Sequence, residues 1–146
     1  MNILDIAIAF AAEKHRGTFD KGGMPYILHP LKVMYYLKTD DQELMAIAVL
    51  HDVVEDCKVS YADLREIGMT NRVVEGVKSL TRLPGETYDE FIERIKLNKD
   101  AVLVKLQDLR HNSDIRRLKG VRPSDIQRTI KYHKCYTDLL EVVKQF

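Results

Sequence analysis

Apolar residues recur three and four positions apart along most of the chain, with polar turn-formers between the runs. Ile3, Ala7, Phe10 and Ala11 follow Asn2, whose side chain is suited to capping, so a helix is predicted from Ile3 to about Arg16. The stretch from Gly17 to His29 lacks this period and reads as a loop. Pro30 fits the first position of a short helix ending at Leu37, and Asp40 or Asp41 can cap a third helix that continues to about Asp56. Ser60 with Asp63, and Thr87 with Glu90, have capping-box spacing and mark two more helix starts. Asn71 to Leu80 and Ala101 to Ser113 are further helical stretches, and Pro123 opens a long last helix to about Lys144. Val102, Val104 and the leucine between them could form a buried strand, but no partner strand is visible. The pattern predicts an all-α bundle of six to eight helices in a single domain spanning residues 1–146.

Composition narrows the class. A chain of 146 residues, 45% hydrophobic and 31% charged, can bury a core without disulfide staples. No run approaches the roughly 18 apolar residues of a membrane helix, and Met1 to Ala12 has neither a basic lead nor a small-residue cleavage site. Cys57 and Cys135 stand in no metal-ligand spacing and suit a reducing compartment. The expectation is a cytoplasmic protein with no membrane partner; oligomeric state is not legible. A net charge of +1 argues against a surface built for nucleic acid, yet the balance is uneven. Between Arg110 and Lys134 lie eight basic side chains against Asp114 and Asp125, which suits an anionic ligand.

The candidate chemistry starts in the third predicted helix, where His51, Asp52, Glu55 and Asp56 interrupt a segment that begins with the apolar run from Ala46 to Leu50. Buried charges cost several kcal/mol unless paired or bound to a metal. Wound as one helix, these four residues fall in one sector. An imidazole beside a carboxylate can bind Mn²⁺, Fe²⁺ or Zn²⁺, but a lone His-Asp pair is weak support. His29, next to Pro30, and Asp108, set in the apolar stretch after Val102, strengthen it. Taken singly, His29 is a capping or core histidine and Asp108 the partner of Lys105. Taken together, two His and two Asp make one metal site with positions open for water and substrate.

Five separated blocks, running from Ala11 through Gly17, Gly23 through Pro30, Ala48 through Asp56, Glu75 through Val77 and Val104 through Asn112, resemble in order and spacing the HD-domain metal-dependent phosphohydrolases. The likeness is to the hydrolase domain of RelA/SpoT proteins and to the stand-alone small alarmone hydrolases. It implies an HD-domain helical bundle in which His29, His51, Asp52 and Asp108 bind a catalytic Mn²⁺ and Glu55 and Asp56 prepare the attacking water. It implies nucleotide contacts from Arg16 and Asn112, from Arg128 and Tyr132 in the last helix, and from Lys21 and Arg82 in loops that vary within the family. After the fourth ligand the family usually has Arg-Leu-His-Asn or Lys-Leu-Tyr-Asn, whereas this chain has Leu109, Arg110, His111 and Asn112, which leaves the role of Arg110 open. Of the remaining histidines, His111 is the one best placed to touch the site.

The expected activity is therefore removal of pyrophosphate from guanosine 3′-diphosphate alarmones. The same scaffold could act instead on an adenosine alarmone, on the 2′-phosphate of NADPH or on another nucleoside phosphate, because a metal and an acid pair read phosphate and not base. A third possibility is a nucleic-acid binder carrying a relic motif, which the intact set of His29, His51, Asp52, Glu55, Asp56 and Asp108 opposes.

Overall fold

A computed structural model describes residues 2–146 and contains nine α-helices and one 3₁₀ turn, with no strand among the described residues. The helices are α1 (Ile3–Lys14), α2 (Leu28–Tyr36), α3 (Gln42–Leu50), α4 (Val53–Asp56), α5 (Tyr61–Glu66), α6 (Asn71–Ser79), α7 (Tyr88–Ile95), α8 (Lys99–Asn112) and α9 (Pro123–Val143), with the 3₁₀ turn at Ile115–Arg117 between the last two. Val102 and Val104 are buried on α8, so the ambiguous apolar run is helical.

The middle of the bundle is α3. A helix apolar on all sides must be surrounded, and α1, α2, α6 and α8 pack around it. Ala46, Ile47, Ala48, Val49 and Leu50 are all fully buried. At α6 the approach is close enough that a Cβ on Gly76 would stand 2.5 Å from Ile47 Cδ1. On the outer side of α8, α9 closes the bundle with Leu139 buried.

Capping follows sequence chemistry at most ends. Asn2 Oδ1 accepts from Asp5 N at 2.9 Å and Asp41 Oδ1 from Leu44 N at 3.2 Å. Ser60 and Asp63 form the reciprocal box, at 3.1 and 2.9 Å. Thr87 accepts from Glu90 N at 3.1 Å, but the Glu90 carboxylate takes the Thr87 hydroxyl at 3.0 Å and leaves the backbone N–H alone, so the expected second box is only half made.

Two boundaries differ from expectation. The second helix starts at Leu28, two residues before Pro30, which still lies in the first turn where its missing N–H breaks no bond. The third predicted helix is two helices, α3 and α4, interrupted at His51 and Asp52, which makes nine α-helices among the described residues where six to eight were expected. Asp52 has φ −106° and ψ −8°, still right-handed but displaced from the mean helical values, and no glycine or proline marks the place.

Candidate metal centre

The interruption decides where the side chains go. In a continuous helix adjacent residues diverge by about 100°, so His51 and Asp52, though within one broad sector, would not be aimed at one point. Here His51 caps α3, Asp52 starts α4, and His51 Nε2 lies 3.1 Å from Asp52 Oδ2. From α2 comes His29, whose Nε2 is 2.9 Å from Asp108 Oδ1 on α8 and 3.8 Å from Asp52 Oδ2. His51 Nε2 is 3.3 Å from the same Asp108 oxygen. One donor atom each from His29, His51 and Asp108 lies within 4.8 Å of the others, all three residues being buried. The four expected ligands are thus brought together from α2, the α3–α4 break and α8.

The donor set fits a divalent cation. His51 Nδ1 is 2.6 Å from the Ala48 carbonyl and donates to it, so in the neutral ring Nε2 carries the lone pair. That buried Nε2 has no hydrogen-bond partner although two carboxylate oxygens face it. A lone pair against two anions is repulsive, and a cation between them removes the conflict. Without a cation a proton does so: burial lowers the affinity of His51 for it, but Asp52 and Asp108 outweigh burial and hold the ring well above its ordinary value. Burial likewise pushes Asp52 up, and His51 overcomes this to hold it down to about 2. Asp108 is also held well below its ordinary value, because Lys105 and the two histidines outweigh its burial.

A surrounding layer fixes the ligands. The Tyr26 hydroxyl donates to Asp52 Oδ2 at 2.5 Å. Lys105 Nζ donates to Asp108 Oδ2 at 2.9 Å and Asn112 Nδ2 to Asp108 Oδ1 at 3.0 Å. Asp108 is therefore both the partner of Lys105 and a member of the ligand cluster. His111 stacks on His29, the rings 5.0 Å apart and 14° from parallel, with the two Nδ1 atoms 2.8 Å apart. Burial and the nearby Arg117 hold His111 down to about 4, so it stays neutral and can accept from His29 Nδ1–H, which leaves His29 Nε2 free to ligate. Arg110 does not enter the site. Its guanidinium lies on the ring of Tyr36, 3.8 Å from the centroid, on the outside of the bundle.

Glu55 and Asp56 stand on α4, within one turn of Asp52. Glu55 Oε1 accepts from Arg82 N at 2.9 Å, so one of its oxygens is committed to the α6–α7 loop. Asp56 reaches solvent, yet partial burial, then Asp52 and Glu55, raise its carboxyl to about 6.

A cleft of about 260 Å³ opens beside the cluster and is joined to it by Tyr26 and Asn112. Lys21, Arg128 and Tyr132 line it with them, so four of the six expected substrate contacts share one cleft. Arg16 and Arg82 do not line it. Arg16 is 77% exposed and pairs with Glu13 at 3.2 Å, and Arg82 Nε donates to the Glu86 carbonyl. Arg117, one of the eight basic residues of the Arg110–Lys134 segment, also belongs to the cleft, as does Asp20, which had no sequence signal: Asp20 accepts from Gly22 N and Met24 N, both at 2.9 Å, and pairs with Arg117 at 3.3 Å. Gly22 lies so close that a Cβ there would be 2.1 Å from the Arg117 carbonyl oxygen, which seats the Lys21 loop against the 3₁₀ turn.

An all-helical bundle whose buried centre is a His-Asp pair joined by a further His and Asp defines a class, and comparison with known proteins agrees. Residues 7–116 match the HD domain family, and the chain belongs to that family. The bifunctional (p)ppGpp synthase/hydrolase SpoT of Escherichia coli K12 is 33% identical over 135 residues, covering 84% of this chain but 19% of SpoT. This chain therefore spans about a fifth of that relative's length. The zebrafish (Danio rerio) guanosine-3′,5′-bis(diphosphate) 3′-pyrophosphohydrolase MESH1 is 37% identical over 115 residues, 72% of this chain and 64% of MESH1. The solved structure of a metazoan ortholog of SpoT described as hydrolysing ppGpp superposes with a TM-score of 0.77 at 25% identity, covering 94% of this chain and 84% of that one.

Proposed function

We propose that this chain is a Mn²⁺-dependent 3′-pyrophosphohydrolase that removes pyrophosphate from guanosine 3′-diphosphate 5′-(di/tri)phosphate alarmones in the cytoplasm. The observation that carries this reading is the convergence of His29, His51, Asp52 and Asp108 on one point beside a cleft with basic walls. The relatives named for ppGpp hydrolysis supply the substrate class. No helix is long and apolar enough to cross a membrane.

In this reading His29, His51, Asp52 and Asp108 hold the cation. When bound, the metal makes its water more acidic and polarises a phosphate oxygen. Asp56, the acid of α4 that reaches solvent within one turn of Asp52, takes a proton from the attacking water, and Glu55 braces α4 against the loop after α6. The water oxygen bonds to the phosphorus on the ribose 3′-oxygen, that P–O bond breaks, pyrophosphate departs, and the 3′-oxygen takes up the proton that Asp56 received and leaves as the 3′-hydroxyl. Lys21, Arg128 and Asn112 orient the nucleotide, and Tyr132 offers an aromatic face to the base. Arg16 and Arg82 are assigned, by resemblance alone, to the edge of the bound substrate.

The test is direct. Purified protein loaded with Mn²⁺ is incubated with guanosine 3′,5′-bis(diphosphate), and pyrophosphate and guanosine 5′-diphosphate are measured. Equimolar release of both, lost with Asp52→Ala, is the expected result. No release from this substrate, with turnover of an adenosine alarmone, NADPH or a nucleoside phosphate, would move the assignment to that nucleotide.

A further inference from the structure

The catalytic cleft does not end at Arg128. A second groove, about 630 Å³ in volume, continues from it along the segment that leads into α9, and Lys21, Leu118, Asp125 and Arg128 line both. Lys119 and Arg122 line only the second groove. The metal cluster adjoins the cleft at Tyr26 and Asn112, and the groove leaves it at Lys21 and Arg128.

The two spaces differ in their charge. In the first, the arginines already have anions: Arg117 pairs with Asp20 and Arg128 with Asp125. Lys21, which lines both spaces, and Lys119 and Arg122, which line only the second, make no side-chain ion pair among the described residues. Asp125, the one acid on its wall, is buried and spoken for. One of its oxygens accepts from Arg122 N at 2.9 Å, capping α9, and the other holds Arg128. The Lys119 ammonium is placed over the Gly22–Gly23 turn, where a Cβ on Gly23 would be 3.1 Å from its Nζ. Three unpaired cations gathered on a concavity whose one acid already holds Arg128 repel one another and attract a compact anion.

We propose that Lys119 and Arg122, with Lys21, form a distal phosphate subsite that holds the 5′-phosphates of a nucleotide whose 3′-phosphates lie at the metal cluster. The proposal rests on the phosphohydrolase reading for its orientation, and it names a substrate phosphorylated at both ends. Together the two spaces have the volume of an ordinary small-ligand site, roughly 300–1,000 Å³.

The experiment uses the full chain loaded with Mn²⁺ and a Lys119→Ala, Arg122→Ala double variant, assayed on guanosine 5′-diphosphate 3′-diphosphate and on guanosine 3′-diphosphate, which lacks the 5′ group. The expected result is a KM raised by about 10–100-fold on the first substrate, as the loss of one or two charge-assisted contacts gives, with kcat retained and KM on the second changed less than about threefold. A Lys119→Arg, Arg122→Lys variant should restore the first KM. An unchanged KM, or an equal rise on both substrates, overturns the subsite. Direct binding of guanosine 5′-diphosphate keeps the two readings separate: if no 3′-diphosphate is hydrolysed the enzymatic reading fails, while the subsite stands or falls on about tenfold weaker binding of this ligand by the double variant. Tighter binding of a single-stranded oligonucleotide than of guanosine 5′-diphosphate to the same residues would assign the groove to nucleic acid and overturn the proposal.

Discussion

Replacing Tyr26 by phenylalanine removes one oxygen atom and tests whether the layer around the metal cluster sets metal affinity. The hydroxyl donates to Asp52 Oδ2 at 2.5 Å, and that same oxygen faces His51 Nε2 at 3.1 Å. Burial, followed by the charge of Asp52, pushes the Tyr26 phenol far above its ordinary value, so it remains a donor at any working pH. A hydrogen bond to a charged acceptor contributes about 1.5–3 kcal/mol, which at about 1.4 kcal/mol per decade is roughly 10–150-fold in affinity. Groups that orient a ligand typically change metal affinity by about 10–100-fold, in agreement. The Asp52 side chain is 16% exposed, so water can replace part of the lost donor, and the expected effect is the lower end, about 10–30-fold. Free Mn²⁺ measured by electron paramagnetic resonance during titration at neutral pH gives the isotherm without substrate, and the melting curve of the metal-free variant checks the fold. Affinity within about threefold of the parent, with the fold intact, would show that Asp52 is oriented by the α3–α4 break alone.

Three further outcomes follow from the same geometry. Gly76→Ala should destabilise the protein by about 1–3 kcal/mol through its clash with Ile47, and Ile47→Val should recover part of that in a denaturant-melt cycle; additive losses would refute the contact. In metal-free protein the raised His51 contributes stability that is complete below its ordinary pKa and lost as pH climbs through the raised one, whereas bound metal needs the neutral ring. The melting-temperature gap between Mn²⁺-loaded and chelated protein should therefore widen as pH rises, and a gap that narrows refutes the assignment of His51 as a ligand. Asp56→Asn should keep metal affinity and lose about 10²–10⁴ in kcat, with a smaller loss for Glu55→Gln; full turnover in a Glu55→Ala, Asp56→Ala variant would remove both from the chemistry.

Most of the helices and all four clustered groups could be read from spacing, because caps such as Asn2, Asp41 and Ser60 act locally and a buried His-Asp pair is conspicuous in apolar sequence. The break at His51 could not. It occurs without glycine or proline, in a run from Ala46 that favours continuing the helix, and only the meeting of three distant segments accounts for it. Local preference gives way where the chemistry needs two neighbouring side chains aimed at one point. Tyr26 and Asp20 were hidden for a related reason: a tyrosine and an aspartate in a turn-rich loop are ordinary, and their roles depend on Asp52 and Arg117, 26 and 97 residues further on. Arg16 and Arg82 show the converse, since a matching position in sequence did not bring either into the cleft.

The four clustered side chains lie within the stretch shared with the HD domain family, which ends at residue 116, whereas α9 begins at Pro123 beyond it. The far wall of the cleft, with Arg128 and Tyr132, is therefore carried by a separate piece of chain that packs mainly on α8. Exchanging that last helix between homologues would therefore remake the far wall of the cleft while leaving His29, His51, Asp52 and Asp108 in place, provided that the buried Leu139 is repacked.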